Sequence, residues 1–179
     1  RSDEALASLR KAVELRDEES DSGMMADCYS LMGEIYREKG MDKACYEAYD
    51  SCLHYAPDNV GALNNYAYYL SLDPAADLQK AEQMSLKAVQ KEPDNATFLD
   101  TYAWILFKEK RYDDAKTIAE RAIASDSTLC SVVVEHCGDI FYMAGDTDRA
   151  MEMWQKAAQE DEDNAILRRK IELKKYIEE

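Results

Sequence analysis

An all-α solenoid of antiparallel helix hairpins is the fold class that this sequence predicts, on three observations. Apolar side chains recur every three to four positions along most of the chain, the spacing of one helix face. The same apolar skeleton aligns with itself four times, over residues 26–59, 60–95, 96–129 and 131–164, as expected of stacked repeats. Pro57, Pro74, Pro93, Gly40 and Gly145 fall where one helix should stop and the next begin.

The pattern is plainest in PDNATFLDTYAWILFKEKRYDDAKTIAERAIASDS, from Pro93 to Ser127. Leu99, Tyr102, Ala103 and Leu106 line one face of a first helix, and Ala115, Ala119 and Ala122 line a second. An alanine-lined helix lets its neighbour come close, so the two are expected to nest as a hairpin.

Taken in order, residues 2–16 carry Ala5, Leu9 and Ala12 and read as the return helix of a further hairpin whose first helix is missing. The chain opens with Arg inside this pattern, so it reads as a portion of something longer, with any targeting signal on the missing part. Glu18 to Gly23 are expected to be a polar exit loop. In the first full unit Tyr29, Met32, Gly33 and Tyr36 mark the leading helix, and Cys45, Tyr49 and Cys52 the return helix. Leu63, Tyr66, Ala67 and Leu70, then Ala81, Ser85 and Ala88, do the same in the second, with a longer turn at Asp73-Pro74. The third unit has Lys110 where a turn glycine is expected. The fourth places Val134, Cys137, Gly138 and Phe141 against Ala150, Trp154 and Ala157.

PDN at 57–59 and 93–95 and EDN at 162–164 separate the units, and their Asp and Asn side chains are suited to cap the next helix. Gly33, Ala67, Ala103 and Gly138 fall at the crossing point of each hairpin, where a larger residue would push the helices apart. Residues 165–178 are expected to form a closing helix with Ile166, Leu167, Ile171, Leu173 and Ile177 on one side and Arg168, Arg169, Lys170, Lys174 and Lys175 on the rest. Such a helix covers the last apolar face of a repeat stack; the alternative is a basic docking surface.

Charge and composition exclude several function classes. The chain's 37 acidic against 22 basic residues give a formal charge of -15, which repels nucleic acid phosphates and disfavours anionic membranes. No apolar run is long enough to span a bilayer, and no signal-peptide pattern is present. Five cysteines, without a Cys-x-x-Cys, support neither a disulfide framework nor a metal site. Cys45 and Cys52 lie two turns apart on one helix, about 10 Å, and read as small buried hydrophobes. His54 and His136 sit in different units, with no Cys/His or Asp/His pair at ligand or triad spacing. The doublets Glu18-Glu19 and Asp113-Asp114 read as ordinary solvated loops and helix starts. The expectation is a protein that is not an enzyme and needs no cofactor or metal.

The recurring positions are aromatic or aliphatic at 29, 63, 99 and 134, Gly or Ala at 33, 67, 103 and 138, Ala or Cys at 45, 81, 115 and 150, and again at 52, 88, 122 and 157. Over nearly the whole chain they resemble the tetratricopeptide repeat (TPR) family, and LNNYAYYLS and LDTYAWILF are similar to Bacteroidetes-type bacterial members. The resemblance implies a right-handed superhelix in a bacterial cytoplasm or periplasm, whose leading helices hold a protein or peptide partner. At the family's ligand-facing positions stand Glu34, Asn64, Tyr68, Asp100, Trp104, Phe107, Glu135, Asp139 and Tyr142, with Leu72, Lys108 and Val132 beside them. These spell an aromatic wall bordered by carboxylates, suited to a segment carrying Lys or Arg. The family's carboxylate clamp for acidic chaperone tails is not matched: of Ser30, Glu34, Asn65, Thr97 and Thr101 only the asparagine fits. Two readings remain open: an adaptor that recruits a partner peptide, and a structural spacer or self-association module acting through the terminal helices.

Overall fold

The computed structural model describes residues 2–15, 21–126 and 128–178. The expected exit-loop residues 18–20, including the Glu18-Glu19 doublet, lie outside the described residues, as does Ser127. Among the described residues the chain is all helix: α1 (Ser2–Glu14), α2 (Ser22–Glu38), α3 (Asp42–Tyr55), α4 (Val60–Ser71), α5 (Leu78–Lys91), α6 (Ala96–Lys108), α7 (Tyr112–Ser125), α8 (Ser131–Met143), α9 (Thr147–Glu160) and α10 (Ala165–Leu173). They form antiparallel pairs of an all-α solenoid type, divided into two units, Arg1–Tyr66 and Ala67–Glu179, with the division inside α4.

In the first unit α2 packs along α3, and α1 lies on α2. Cys45, Tyr49 and Cys52 are fully buried on α3. Burial pushes the thiols of Cys45 and Cys52 up to about 11, so they behave as inert apolar groups. The ring of Tyr49 crosses α2 at Gly33, where an added Cβ would come within 2.8 Å of Tyr49 Cε2. Glycine is required there by the neighbour's bulk, despite its cost of about 1 kcal/mol in a helix interior.

In the second unit α6 pairs with α7 and α8 with α9, α5 lies against α6, α6 against α8, and α10 closes on α9. Ala103 meets the stripe of Ala115 and Ala119 in a continuous core that runs through Val134, Phe141, Ala150 and Trp154 to Leu167. Gly138 repeats the role of Gly33 more tightly: an added Cβ would lie 2.6 Å from Trp154 Nε1. Trp154, on the return helix, is a core residue as its register predicts.

The helices start and stop by a repeated local device. Asn95 Oδ1 accepts from the N–H groups of Thr97 and Phe98, Asn59 Oδ1 from that of Ala62, and Asn164 Oδ1 from that of Leu167. In these PDN and EDN stretches the asparagine supplies the helix cap. At the other end Gly40, Gly145, Lys110 and Lys174 all adopt left-handed backbone, with φ of 67°, 85°, 64° and 51°. In each case the next residue's N–H reaches back to close the helix, as Arg111 to Leu106 O at 3.0 Å and Lys175 to Lys170 O at 3.1 Å. Lys110 therefore does stand in a turn-glycine position, and carries a Cβ through a conformation that disfavours it by roughly 1–2 kcal/mol.

The last helix is shorter than its sequence suggests. It stops at Leu173 rather than continuing to 178, because Lys174 turns the chain left-handed. Leu173 is consequently 58% exposed, and residues 175–178 leave the helix without regular structure.

Two stability changes follow from this packing. Gly138→Ala should destabilise the fold by roughly 1–3 kcal/mol through overpacking against Trp154; a urea melt with an unshifted midpoint would contradict the crossing geometry. Lys110→Gly should raise stability by up to about 1 kcal/mol by relieving the left-handed strain, and a lowered midpoint in the same melt would contradict it.

Candidate functional site

The side chains that gather in the second unit come from three helices. On α6, Asp100, Trp104 and Phe107 stand at i, i+4 and i+7, and so share a face. Glu135, His136 and Asp139 occupy α8, and Lys170 projects from α10 on the same side as Leu167 and Ile171, which anchor that helix to the core. The local pattern thus sends one cation and three carboxylates towards the same interior.

Those charges satisfy one another. Lys170, 1% exposed, places Nζ 2.7 Å from Glu135 Oε1 and 2.8 Å from Asp139 Oδ2. Trp154 Nε1–H donates to Asp139 Oδ1 at 2.9 Å, and Asn164 Nδ2–H donates to Glu135 Oε2 at 3.0 Å. Asn164 is also the cap of α10, so one side chain joins the helix start to the buried charges. Separately, His136 Nδ1 lies 3.1 Å from both Asp100 oxygens. This corrects the expectation that no Asp/His pair forms: residues of α6 and α8, distant in sequence, meet because those helices are neighbours.

The electrostatics follow from burial. Burial pushes the Asp139 carboxyl up to about 6 against the pull of Lys170 and Trp154. Burial also opposes the charge on His136, but Asp100, with Asp139 and Glu135 behind it, outweighs that and holds the imidazole above its ordinary value. Lys170 likewise is held above its ordinary value: desolvation is outweighed by Asp139 and Glu135.

Over this network lies an aromatic layer. The His136 ring stacks on Trp104 at 4.0 Å, and Trp104 on Phe107 at 4.8 Å. Tyr68 stands 6.2 Å from His136, and Lys108 Nζ lies 5.8 Å from the Trp104 ring. Tyr68, Trp104, Lys108 and His136, together with Leu72, Val132, Glu135, Asp139 and Asn164, and with Tyr176, Ile177 and Glu178 from the segment after α10, line a cavity of about 310 Å³. Leu72 and Val132 leave 39% and 51% of their surface exposed at its rim.

Four of the nine sequence-predicted contact residues, Tyr68, Trp104, Glu135 and Asp139, line this cavity. Asp100 lies beneath it through His136. Phe107 is buried behind Trp104, while Tyr142 stacks on Trp154 at 5.5 Å and is not part of the lining. Glu34 and Asn64 belong to the first unit, where Asn64 is buried and donates to Asn65 Oδ1 at 3.3 Å. The expected acidic border is also corrected: Asp100, Glu135 and Asp139 point their charge inward, at His136, Lys170 and Trp154. His136, Lys170, Asn164 and Tyr176 were missed. A basic residue on an otherwise apolar stripe was the available signal for Lys170; nothing local marks the others.

Among the described residues no serine, threonine or cysteine lines the cavity beside the Asp100–His136 pair; the hydroxyls there are the phenols of Tyr68 and Tyr176. Cys137, next in sequence, is buried and its thiol is pushed up to about 12. Among the described residues no group of three or more His, Cys, Asp or Glu is arranged to hold a metal ion, and no helix is long and apolar enough to cross a membrane.

The hairpins and this side-chain arrangement define an all-α solenoid of the tetratricopeptide-like class. No family model matches the sequence. The chain is similar in structure to a tetratricopeptide repeat protein from Parabacteroides merdae, with TM-score 0.72 and 23% identity, covering 96% of this chain and 65% of that one. It is also similar to PilF of Pseudomonas aeruginosa, with TM-score 0.71, 22% identity and coverage of 88% and 68%. For YrrB, a TPR protein with an unusual peptide-binding site, the TM-score is 0.68 at 20% identity, with coverage of 94% and 82%. In sequence, stress-induced-phosphoprotein 1 of Caenorhabditis elegans is 24% identical over 107 residues, 56% of this chain. The match spans only 33% of that relative's length.

The buried titratable groups predict a pH dependence. A proton bound more tightly in the folded state stabilises the fold below the unfolded pKa, and that contribution is lost as pH rises through the folded value. His136 has this sign above its ordinary 6.5, and Asp139 has it between 3.8 and about 6. Urea melts from about pH 6 to 9 should therefore show a stability advantage of the wild type over His136→Asn that shrinks with rising pH. An advantage that grows with pH would contradict the Asp100–His136 pairing.

Proposed function

We propose that this chain is a protein-interaction module whose second unit docks an extended segment of a partner protein in the cavity between α4, α6 and α8. The observation that carries the reading is the apolar rim of Leu72 and Val132 beside the layer of Tyr68, Trp104 and His136. Aromatic surface offers large contact area at low side-chain entropy and commonly anchors interfaces. The TPR-like fold supports the same reading, as does the peptide-binding site of the structural relative YrrB. Similarity of LNNYAYYLS and LDTYAWILF to Bacteroidetes-type proteins supports a bacterial setting.

With three carboxylates engaged internally, the anchor of such a partner is an apolar or aromatic side chain rather than Lys or Arg. A cationic residue would have to compete with Lys170, which is already held by two carboxylates. Trp104 is itself a poor site for testing by truncation. It is 9% exposed, and removing a buried tryptophan costs about 3–5 kcal/mol.

Val132 is the cleaner probe, because its side chain is half exposed. A partner captured from native cell extract by the wild-type chain should bind purified Val132→Asp at least about tenfold more weakly, since a charge would be desolvated at the rim, with an unchanged circular dichroism spectrum. Equal affinities would remove the cavity from the interface. A concentration-dependent mass of the purified chain in sedimentation, with no partner captured, would support the self-association reading instead.

A further inference from the structure

Beyond the docking reading stand residues 174–178, the described residues that follow α10. After the left-handed turn at Lys174, the chain does not run out into solvent. Tyr176 places its ring 5.6 Å from Phe107 in an edge-on contact, and Lys170 Nζ lies 5.6 Å from the same ring. Tyr176 and Ile177 are each half-buried, while Lys174, Lys175 and Glu178 are exposed. Tyr176, Ile177 and Glu178 form part of the cavity wall itself. A short segment without helix or strand is thus seated on the surface that an aromatic-bearing partner would use.

A second observation lies on Trp104. Its indole Nε1–H is buried and meets no acceptor among the described residues, in a side chain 9% exposed that lines the cavity. A donor buried without an acceptor is unfavourable, because it has given up water and gained nothing in return. The rings of Phe107 and His136 stack on the indole face. An incoming main-chain carbonyl is the chemistry that this donor lacks.

Resting on the docking reading, we propose that residues 174–178 are a resident strap that is exchanged for the partner, and that the partner segment carries an aromatic residue followed by an aliphatic one. The partner's aromatic ring takes the place of Tyr176 against Phe107, its aliphatic side chain takes the place of Ile177 beside Leu72 and Val132, and its main chain accepts from Trp104 Nε1–H. The strap is suited to leave. Only two of its side chains are partly covered, and segments with few buried contacts open most readily. It is suited to return as well, because a short tether keeps its effective concentration near the millimolar range. Binding is therefore weakened by the fraction of molecules in which the strap is seated.

The test uses the whole chain and a synthetic peptide of its own sequence 172–178, ELKKYIE, followed by NMR, which reads millimolar affinities. The strap is unseated in the variant Tyr176→Ala/Ile177→Ala, whose partly exposed positions leave the core intact. The peptide should bind this variant at least about fivefold more tightly than it binds the wild type. Binding should shift the Trp104 indole proton, since the cavity beside the ring is refilled, and a peptide with its own tyrosine replaced by alanine should not bind. Equal affinity for both chains, no binding to the variant, or a Trp104 indole proton that stays in place during binding would each overturn the exchange. If, after such a failure, a captured partner still discriminates against Val132→Asp, the docking reading stands while the strap proposal falls; if Val132→Asp is without effect, the docking reading falls and the exchange falls with it, even where the peptide binds.

Discussion

Lys170 enters the core of the second unit between Glu135 and Asp139, and the seating of α10, with the segment that leaves it beside the cavity, depends on that contact. Taking an ammonium and two carboxylates out of water is costly, and the attraction among them repays this only when each remaining polar atom is also bonded. Here Trp154 serves Asp139 and Asn164 serves Glu135. The network therefore ties α8 to α9 through an indole, and α8 to α10 through both the cap and the body of the last helix. Removing one partner from such a group costs about 3–5 kcal/mol, whereas apolar residues of equal volume could hold the same helices together. What the ionic arrangement adds over an apolar one is placement: it fixes how far α10 comes in, and hence where the chain leaves it.

That placement changes the character of the exposed surface. A chain with a formal charge of -15 would be expected to read its partners by charge, yet the carboxylates beside the cavity face inward. What remains at the wall is a mixture of aromatic and aliphatic side chains with Lys108, Asn164 and Glu178, and His136 lies against Trp104 while it pairs with Asp100. The negative field of the whole protein attracts cations at long range.

Much of this architecture was legible in the sequence because it is local. Helix faces, the glycines at hairpin crossings, the asparagine caps and the core position of Trp154 all follow from spacing along one or two helices. Gly33 and Gly138 were readable as crossing points, although the sequence does not say that Tyr49 and Trp154 are what fill them. Neither left-handed lysine carries the glycine or asparagine that marks such a stop; Lys110 shows itself only by standing where the first and fourth repeats have Gly40 and Gly145. For that reason the last helix was expected to reach 178, and Ile177 was assigned to a helical face that does not exist.

The site was less legible than the fold. Of the positions expected to face a ligand, Tyr68, Trp104, Glu135 and Asp139 line the cavity, but periodicity cannot distinguish a carboxylate that meets solvent from one that meets a lysine on another helix. Lys170 shares a stripe with Leu167 and Ile171, a pattern that signals either a buried ion pair or a surface helix with a broad polar side. Only the meeting of α8 and α10 decides between them. The most direct measurement of the account is a nuclear Overhauser spectrum of the intact chain. It predicts cross-peaks between the ring protons of Tyr176 and Phe107, with Tyr176 shifts displaced by the neighbouring aromatics; random-coil shifts for Tyr176 and no contact to Phe107 would contradict it.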